Sequence, residues 1–247
     1  MSEPGKLVGV SLGPGDPGLM TRNAWEALSS PAHWTYPVTG ISASSYALDI
    51  VRRGGLAIPA DATPLVFPMS RDRVVLASAW VKAAHSVLAL LHLGQDVLFL
   101  VEGDASTYAT FEHLARTVRS LDPAIAVEVI AGVSSYCAAA ARVGMPLAEQ
   151  DDMFAVIPAN YGIEIIDHLL DEFDTLVLLK VKPMLEQILD LLERRDIIGH
   201  ARFVEKVGTP VERAIHDVTT LRGQEVAYLS LMLVHNPLRV SGGPRER

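Results

Sequence analysis

Short apolar runs of strand length recur along the chain, and amphipathic stretches of helical length separate most of them. The clearest helical stretch is "ASAWVKAAHSVLALLHLG", whose apolar residues follow three- and four-residue spacing and whose Gly94 predicts the helix end. Strands that are apolar on both faces and alternate with helices predict a mostly parallel sheet and an α/β fold. The apolar runs are LVGVSL, DVLFLV, AVEVI, FAVIP, TLVLLKV and VAYLSLMLV.

The length and the order of these patterns predict two domains. The chain has 247 residues, of which 49% are hydrophobic and 20% are charged, so it can bury a substantial core. Strand–helix units typical of a doubly wound domain precede "VEVIAG", and a second set of strands begins at Met153. We therefore predict an N-terminal α/β domain over 1–130 and a C-terminal α/β domain over 131–247.

Charge and cysteine content restrict the possible partners. The chain carries 21 basic and 29 acidic residues, a net charge of −8, and it lacks a basic run of five, which argues against nucleic-acid binding. The single Cys137 cannot form an internal disulfide, suits a reducing compartment and is expected to be a small buried helix residue. A signal-peptide pattern is missing, and no apolar run approaches the ~18 residues that span a bilayer. We expect a cytoplasmic protein without a membrane partner.

Three predicted strand ends carry glycine with polar neighbours: "SLGPGDPG", "LVEGD" and "VIAGVSS". Open parallel sheets bind ligands at the carboxyl ends of their strands, so these segments predict one composite small-molecule site. An enzyme and a binding module both satisfy this pattern.

The stretch "GPGDPG" fits the dinucleotide pattern G-x-G-x-x-G, but its chemistry argues against a pyrophosphate. Pro14 and Pro17 each remove a backbone N–H donor, and Asp16 adds a carboxylate where the anion would lie. The region about 20 residues further on, "PAHWTYPVTG", contains no acidic residue for a ribose. We predict that Asp16 caps a helix that starts at Pro17 and continues through "LMTRNAWEAL".

The segment "GVSLGPGDPGLMT" resembles the first motif of the tetrapyrrole methylases, a G-x-G-P-G-D-P loop that closes against the macrocycle. The resemblance implies a parallel N-terminal sheet, a mixed C-terminal sheet, a site between the two domains and a homodimer. Further segments resemble the later motifs of that family in the same order: YPV, FLVEGDASTYATFEHL, VEVIAGVSSYCAAAARVGMPLAE, LVLLKVKP, VEKVGTPVERA and YLSLMLVHN.

Within the family, the triplet Glu102-Gly103-Asp104 followed by "TYATF" resembles the E-G-D-P-x-x-Y-S-T-F motif of the enzymes that methylate C-20 of precorrin-2. "PLVFPMSRDR" and Lys180 favour the same subgroup. The resemblance implies methyl transfer from S-adenosylmethionine, with S-adenosylhomocysteine as product, to C-20 of precorrin-2 or its cobalt form in cobalamin biosynthesis. Alternatives are methylation of another precorrin carbon, a diphthine synthase (whose substrate motifs are missing) and a non-catalytic tetrapyrrole- or nucleotide-binding module.

Three positions depart from the family pattern. Ser11 stands where glycine is usual, and Ala105 and Ala131 replace prolines. None of these changes removes a charged or nucleophilic group. They put the rigidity of the loops, and with it cofactor affinity, in question more than the chemistry.

The resemblance also assigns site residues. Gly13, Gly15, Asp16 and Arg22 are expected to face the tetrapyrrole, with Asp16 as a contact to pyrrole N–H groups and a candidate base; its alternative role is capping. Asp104 and Ser134 have the same capping alternative. The residues expected to line the cofactor crevice are Pro14, Glu102, Gly103, Asp104, Thr107, Ser134, Ser135, Lys180 and Gly208.

The resemblance implies a substrate rich in carboxylates, so a basic patch is also expected. The candidates are Arg22, Arg71, Arg73 and Arg142, each of which can equally be a solvated surface residue. The methyl group of a sulfonium is already activated, so transfer requires alignment rather than an enzyme nucleophile. We therefore predict no bound metal, and the sequence contains no H-E-x-x-H, C-x-x-C or Walker motif.

Overall fold

A computed structural model describes residues 3–40, 43–70 and 72–239. The chain divides into two compact units, Met1–Ser134 and Ser135–Arg247. The division follows Ser134, four residues after the boundary that the sequence patterns predict. Ser134 directly precedes a helix, so the chain passes from one unit to the other where that helix begins.

Unit 1 contains a five-stranded sheet in the order β3-β2-β4-β1-β5, and all its strand pairs are parallel. Its strands are β1 (Leu7–Ser11), β2 (His33–Val38), β3 (Thr63–Val66), β4 (Val97–Val101) and β5 (Val127–Ile130). Its helices are α1 (Arg22–Leu28), α2 (Tyr46–Arg53), α3 (Arg73–Leu91) and α4 (Phe111–Leu121). The central strands β1 and β4 are buried along their whole length, which explains their unbroken apolar sequences.

The two faces of this sheet pack against different helices. Val97, Phe99 and Val101 of β4 belong to the core cluster shared with α3 and α4. Leu98 and Leu100 belong to the cluster shared with α1 and α2. Successive strand residues point to opposite faces, so a doubly covered strand must be apolar at every position.

Helix α3 corrects one expectation from the sequence. Over its 19 residues it is long and apolar enough, by length and composition alone, to cross a membrane. Its C-terminal half packs Ala83, Val87 and Leu91 into the unit 1 core, as a core helix does. Its N-terminal half leaves Val74 and Val75 exposed.

Unit 2 contains a five-stranded sheet in the order β6-β7-β10-β8-β9. Its strands are β6 (Phe154–Pro158), β7 (Thr175–Leu179), β8 (Ala201–Glu205), β9 (Arg213–Ile215) and β10 (Ser230–His235). Only β6 and β7 run parallel; the remaining pairs are antiparallel, so the sheet is mixed. Its helices are α5 (Ser135–Val143), α6 (Ile163–Glu172) and α7 (Leu185–Arg194). The predicted α/β class, with a parallel sheet followed by a mixed one, is confirmed.

Helix α5 carries Cys137, whose expected burial is wrong. The helix buries Ala139, Ala140 and Val143, whereas Cys137 is exposed. Alanine and cysteine are both small enough for a core, so the sequence alone did not separate the buried face of this helix from the exposed one.

Candidate active site

The loop after β1 is joined to the loop after β4 through two glycines. The backbone N–H of Gly103 donates to the carbonyl of Gly13 at 2.8 Å, and the N–H of Gly13 donates to the carbonyl of Gly103 at 3.2 Å. Both residues have positive φ angles, +76° and +77°, which favour glycine. The first two predicted motifs are therefore held together at the carboxyl ends of adjacent strands.

Asp16 caps a short 3-10 helix, Pro17–Leu19. Its exposed carboxylate accepts a hydrogen bond from the N–H of Gly18 at 2.8 Å, and Pro17 occupies the first helical position. The predicted continuous helix is wrong, because the chain is extended at Met20 and α1 starts anew with Thr21 as its N-cap. The first motif is thus a capped turn that stands apart from the helix after it.

A residue that the sequence analysis missed holds this loop from α2. Arg53 donates from Nη2 to the carbonyl of Gly15 at 2.6 Å and from Nε to Asp49 at 2.8 Å. The contact spans 38 positions of the chain, and no local pattern predicts a contact of that separation.

The predicted arginines occupy different surroundings. Arg22 is exposed and pairs with Glu26 one turn along α1, with 2.7 Å between Nε and Oε1. Arg73 is exposed at the start of α3. In unit 2, Arg142 pairs with Glu212. Arg71 lies outside the described residues.

Glu102 follows β4 directly and is the most perturbed carboxyl of the predicted site. Burial raises its pKa from the usual 4.5 to about 7. Its carboxyl group forms no hydrogen bond or ion pair with any residue in 3–40, 43–70 or 72–239. No atom lies within 4 Å of the position that a Cβ on the next residue, Gly103, would occupy, so the backbone there is open to close approach.

Asp104 joins the loop after β4 to the loop after β5. Its Oδ2 accepts from the N–H of Gly132 at 2.8 Å, and its Oδ1 accepts from the N–H and hydroxyl of Ser106. Burial acts to raise the pKa of Asp104, but hydrogen bonds from Ser106, Gly132 and Thr107 lower it below its usual range. Asp104 is therefore an ionised carboxylate that fixes two loops.

Gly132 leaves no room for a side chain. A Cβ there would lie 2.4 Å from Cβ of Ser11 and 2.9 Å from the carbonyl oxygen of Gly103. The loops that follow β1, β4 and β5 thus meet at one compact junction, and the composite small-molecule site expected at these strand ends stays a prediction. We call the contacts among Ser11, Gly13, Gly103, Asp104 and Gly132 the strand-end junction.

The remaining predicted residues lie elsewhere. Pro14 and Gly15 are buried within the first loop, and Thr107 contributes to the hydrogen bonds around Asp104. Ser134 is half-buried immediately before α5. Ser135 is the first residue of that helix.

In unit 2, Lys180 and Gly208 follow β7 and β8. Lys180 has a φ of +56°, and its N–H donates to the carbonyl of Ser230 at 2.9 Å. The N–H of Gly208 donates to Glu212 at 2.6 Å. Because β10 runs antiparallel to both strands, its first residue, Ser230, lies at the same edge of the sheet as their ends. The hydroxyl of Ser230 is buried without a hydrogen-bond partner in the described part of the chain.

Comparison with known families shows that residues 6–222 match the Tetrapyrrole (Corrin/Porphyrin) Methylases. The chain is a tetrapyrrole methylase. This methylase is 32% identical over 234 residues to the cobalt-precorrin-2 C(20)-methyltransferase of Salmonella typhimurium, covering 94% of the chain and 96% of that protein. It is 30% identical over 193 residues to a probable cobalt-precorrin-2 C(20)-methyltransferase of Methanocaldococcus jannaschii, covering 78% and 80%. It is 29% identical to a precorrin-2 C(20)-methyltransferase of a Sinorhizobium species, covering 93% and 95%.

Solved structures share the fold of this methylase. The methyltransferase CobJ superposes with a TM-score of 0.68 at 18% identity, covering 94% of the chain and 95% of CobJ. A Thermus thermophilus uroporphyrin-III C-methyltransferase, solved in complex with S-adenosyl homocysteine, gives 0.63 at 22% identity, covering 96% and 100%. At these identities the likeness establishes the fold.

Proposed function

We propose that this methylase transfers the methyl group of S-adenosylmethionine to C-20 of precorrin-2, or of its cobalt form, in cobalamin biosynthesis. The observation that carries the proposal is the match over most of the chain to three proteins named for this reaction. The triplet Glu102-Gly103-Asp104, whose resemblance implies the C-20 subgroup, directly follows β4, and its last two residues belong to the strand-end junction.

The chemistry of the junction fits the methyl donor. S-adenosylmethionine, when bound, supplies a methyl group activated by its sulfonium. The open space over Gly103 permits close approach to the backbone, and the oxygens of Asp104 and Thr107 suit hydroxyl and ammonium groups. In unit 2, the buried, unsatisfied hydroxyl of Ser230 marks a polar edge beside Lys180. The residues proposed to bind the donor are Pro14, Glu102, Gly103, Asp104, Thr107, Ser134, Ser135, Lys180 and Gly208.

The substrate contacts are proposed for the first loop. Gly13 and Gly15 give it a fixed shape, and Asp16 presents an exposed carboxylate that can accept from pyrrole N–H groups while it caps Pro17–Leu19. Arg22 is proposed to exchange its exposed partner Glu26 for a substrate carboxylate. Such an exchange costs little, because exposed ion pairs contribute only ~0–1 kcal/mol.

We also propose that the enzyme is a cytoplasmic homodimer with no nucleic-acid or membrane partner. The family resemblance supports the dimer, and the net charge of −8 argues against nucleic acid. Light scattering coupled to size exclusion tests the dimer directly. A mass near 27 kDa would correspond to a monomer, since the chain weighs 26.7 kDa.

The deciding experiment is an anaerobic incubation with S-adenosylmethionine and either precorrin-2 or cobalt-precorrin-2. Mass spectrometry counts the methyl groups added, and carbon-13 labelling locates them. One methyl at C-20 is expected, and the faster ring identifies the natural substrate. Methylation at another carbon would overturn the assignment to C-20. Binding of S-adenosylhomocysteine without transfer to either ring would instead support a non-catalytic binding module.

A further inference from the structure

We propose that the Glu102 carboxylate accepts the proton that leaves C-20 after the methyl group has been added. The inference rests on the proposed function and names a proton acceptor for that reaction. C-20 uses a π electron pair to bond the methyl carbon, and the electron pair of the broken carbon–sulfur bond stays on sulfur. C-20 then carries both a hydrogen and a methyl group. Transfer of the proton to Glu102 returns the C–H electron pair to the ring, and the resulting carboxylic acid later releases the proton to water.

The position of Glu102 follows from the register of β4. Val10 pairs with Leu100 and Ser11 pairs with Val101, and the N–H of Leu12 donates to the carbonyl of Val101 at 2.9 Å. Glu102 directly follows these pairs, between the Val101 carbonyl bonded to Leu12 and the Gly103 backbone bonded to Gly13, and it is half-buried. Its carboxyl group therefore belongs to the end of β4 where the first two loops meet.

No residue in 3–40, 43–70 or 72–239 forms a hydrogen bond or ion pair with this carboxylate. On the elements that pack with Leu98 and Leu100 of β4, and on the first loop, the titratable groups are Asp16, Arg22, Glu26, Tyr36, Tyr46, Asp49, Arg52 and Arg53. Within the described residues none of them forms a hydrogen bond or ion pair with Glu102, and burial is the one cause of its raised pKa. A half-buried, desolvated carboxyl without a structural partner destabilises the fold once it ionises, which is the pattern expected of a functional acid–base group.

The neighbours of Glu102 connect it to both ligands. Gly103, the next residue, is hydrogen-bonded to Gly13 of the loop proposed to face the tetrapyrrole. Asp104, one residue further, belongs to the loop proposed to bind the donor. A pKa of about 7 leaves a large share of the carboxyl ionised at neutral pH and matches the optimum for general base catalysis.

Asp16, the candidate base from the sequence, is less suited to this step. Its carboxylate is exposed and already accepts from the N–H of Gly18. It can contact pyrrole N–H groups in that state, but its hydrogen bond to Gly18 and its contact with solvent leave it less available than Glu102 to a carbon-bound proton. The two roles thus fall to two carboxylates.

The test compares Glu102→Gln with the wild type and with the matched control Glu128→Gln, which alters an exposed glutamate on β5. At saturating S-adenosylmethionine, turnover of Glu102→Gln should fall ~10²- to 10⁴-fold. Any loss of S-adenosylhomocysteine affinity measured by calorimetry should be much smaller than that, because glutamine keeps the hydrogen-bonding oxygen of a donor-binding residue. The rise of the wild-type rate with pH should disappear in the variant. Precorrin-2 deuterated at C-20 should show a primary isotope effect in the variant, because proton loss becomes rate-limiting.

Two further measurements keep the inference testable if Glu102→Gln folds poorly. Formate should restore turnover to Glu102→Ala at constant ionic strength, whereas chloride should not. Independently of activity, the carbon-13 carboxyl resonance lost in Glu102→Gln should titrate near pH 7. Titration near 4.5, or wild-type turnover in Glu102→Gln, would overturn the inference. A wild type that methylates neither ring would remove the proposed function, and this inference with it.

Discussion

The buried hydroxyl of Ser11 accepts a hydrogen bond from the backbone N–H of Ala105 at 2.8 Å. Both residues depart from the tetrapyrrole methylase motifs, in which glycine is usual at the position of Ser11 and proline at the position of Ala105. A glycine would supply no hydroxyl, and a proline would need none because it has no N–H. The two departures therefore compensate each other, and a hydrogen bond restrains the loop where proline would otherwise do so.

This pairing predicts a non-additive mutant cycle. Ser11→Gly alone leaves the buried N–H of Ala105 without its acceptor, and Ala105→Pro alone leaves the hydroxyl of Ser11 without its donor. Each change should therefore lower the free energy of unfolding by ~1–3 kcal/mol. The double variant restores the family pattern and should lose less than the sum by ~0.5–3 kcal/mol. Urea unfolding measures all four proteins, and strict additivity would contradict the pairing.

The strand-end junction predicts that Gly132 tolerates no side chain. In Gly132→Ala the new methyl group would meet Ser11 at 2.4 Å and the Gly103 carbonyl at 2.9 Å. Overpacking of this kind destabilises by ~1–3 kcal/mol, and displacement of the loops should weaken S-adenosylhomocysteine binding. Gly199→Ala is the control, since nothing lies within 4 Å of its Cβ position. Equal stability and affinity in both variants would show that the junction is less tight than described.

Glu102 predicts a pH-dependent gain in stability on neutralisation. Its pKa of about 7 in the folded protein exceeds the usual 4.5, so the folded state holds the proton more tightly than the unfolded state. Stability is therefore lost as the pH rises from about 4.5 to about 7. The free energy of unfolding of Glu102→Gln should exceed that of the wild type by ~1–3 kcal/mol at pH 8 and should nearly equal it at pH 4, below the usual pKa.

Denaturant unfolding at the two pH values measures this difference. The control Glu128→Gln alters an exposed carboxylate that pairs with Lys6 at 3.0 Å, and it should not reproduce the gain in stability expected of Glu102→Gln at pH 8. If the free energies of unfolding of the wild type and Glu102→Gln differ by the same amount at pH 4 and at pH 8, the carboxyl is not desolvated.

Arg53 predicts an effect on substrate affinity from outside the predicted motifs. Arg53→Met removes the hydrogen bond to the Gly15 carbonyl and keeps a long, unbranched side chain at the end of α2. A charged hydrogen bond contributes ~1.5–3 kcal/mol, so KM for the tetrapyrrole should rise about 10-fold or more. S-adenosylhomocysteine affinity should change little. Arg52→Met, at the adjacent exposed arginine, is the control. Equal KM values for Arg53→Met and Arg52→Met would show that the contact of Arg53 with the first loop does not affect substrate binding.

The position of Asp16 predicts that Asp16→Asn affects the reaction with the tetrapyrrole and leaves donor binding unchanged. Asparagine caps helices as well as aspartate does, so Asp16→Asn should fold with unchanged stability and keep its S-adenosylhomocysteine affinity. Loss of the charge facing pyrrole N–H groups should lower turnover or raise KM about 10-fold, in line with a charged hydrogen bond of ~1.5–3 kcal/mol. Unchanged steady-state kinetics would limit Asp16 to its cap.

The sequence predicted most of the architecture, because buried parallel strands and amphipathic helices leave strong periodic patterns. It erred where local chemistry interrupts a pattern. The helix expected from Pro17 ends before Met20, where the chain is extended. In the run "VAYLSLMLV" the strand begins only at Ser230, because the N–H of Ala227 donates to the side chain of Glu205 instead of to a neighbouring strand. The length of the apolar helix α3 was underestimated, because its few polar residues divide the sequence into shorter apolar runs.

The site divides in the same way. Glycines at strand ends are visible in the sequence, and the junction of Gly13 with Gly103 follows from the parallel sheet. The contacts from Arg53 to Gly15 and from Ala105 to Ser11 were not predictable, because they join residues far apart that share no motif. The raised pKa of Glu102 likewise depends on which side chains surround it.

The strand-end junction has a consequence for how the enzyme is made. Strand β1 lies between β4 and β5 in the sheet of unit 1. The residues of β4 and β5 leave the ribosome long after those of β1. The loops can meet only when the last of the three strands has been inserted, so the binding site is among the final features to form during folding. Occupancy by a ligand would then report that the whole central sheet is complete, and partly synthesised or misfolded chains would bind neither substrate.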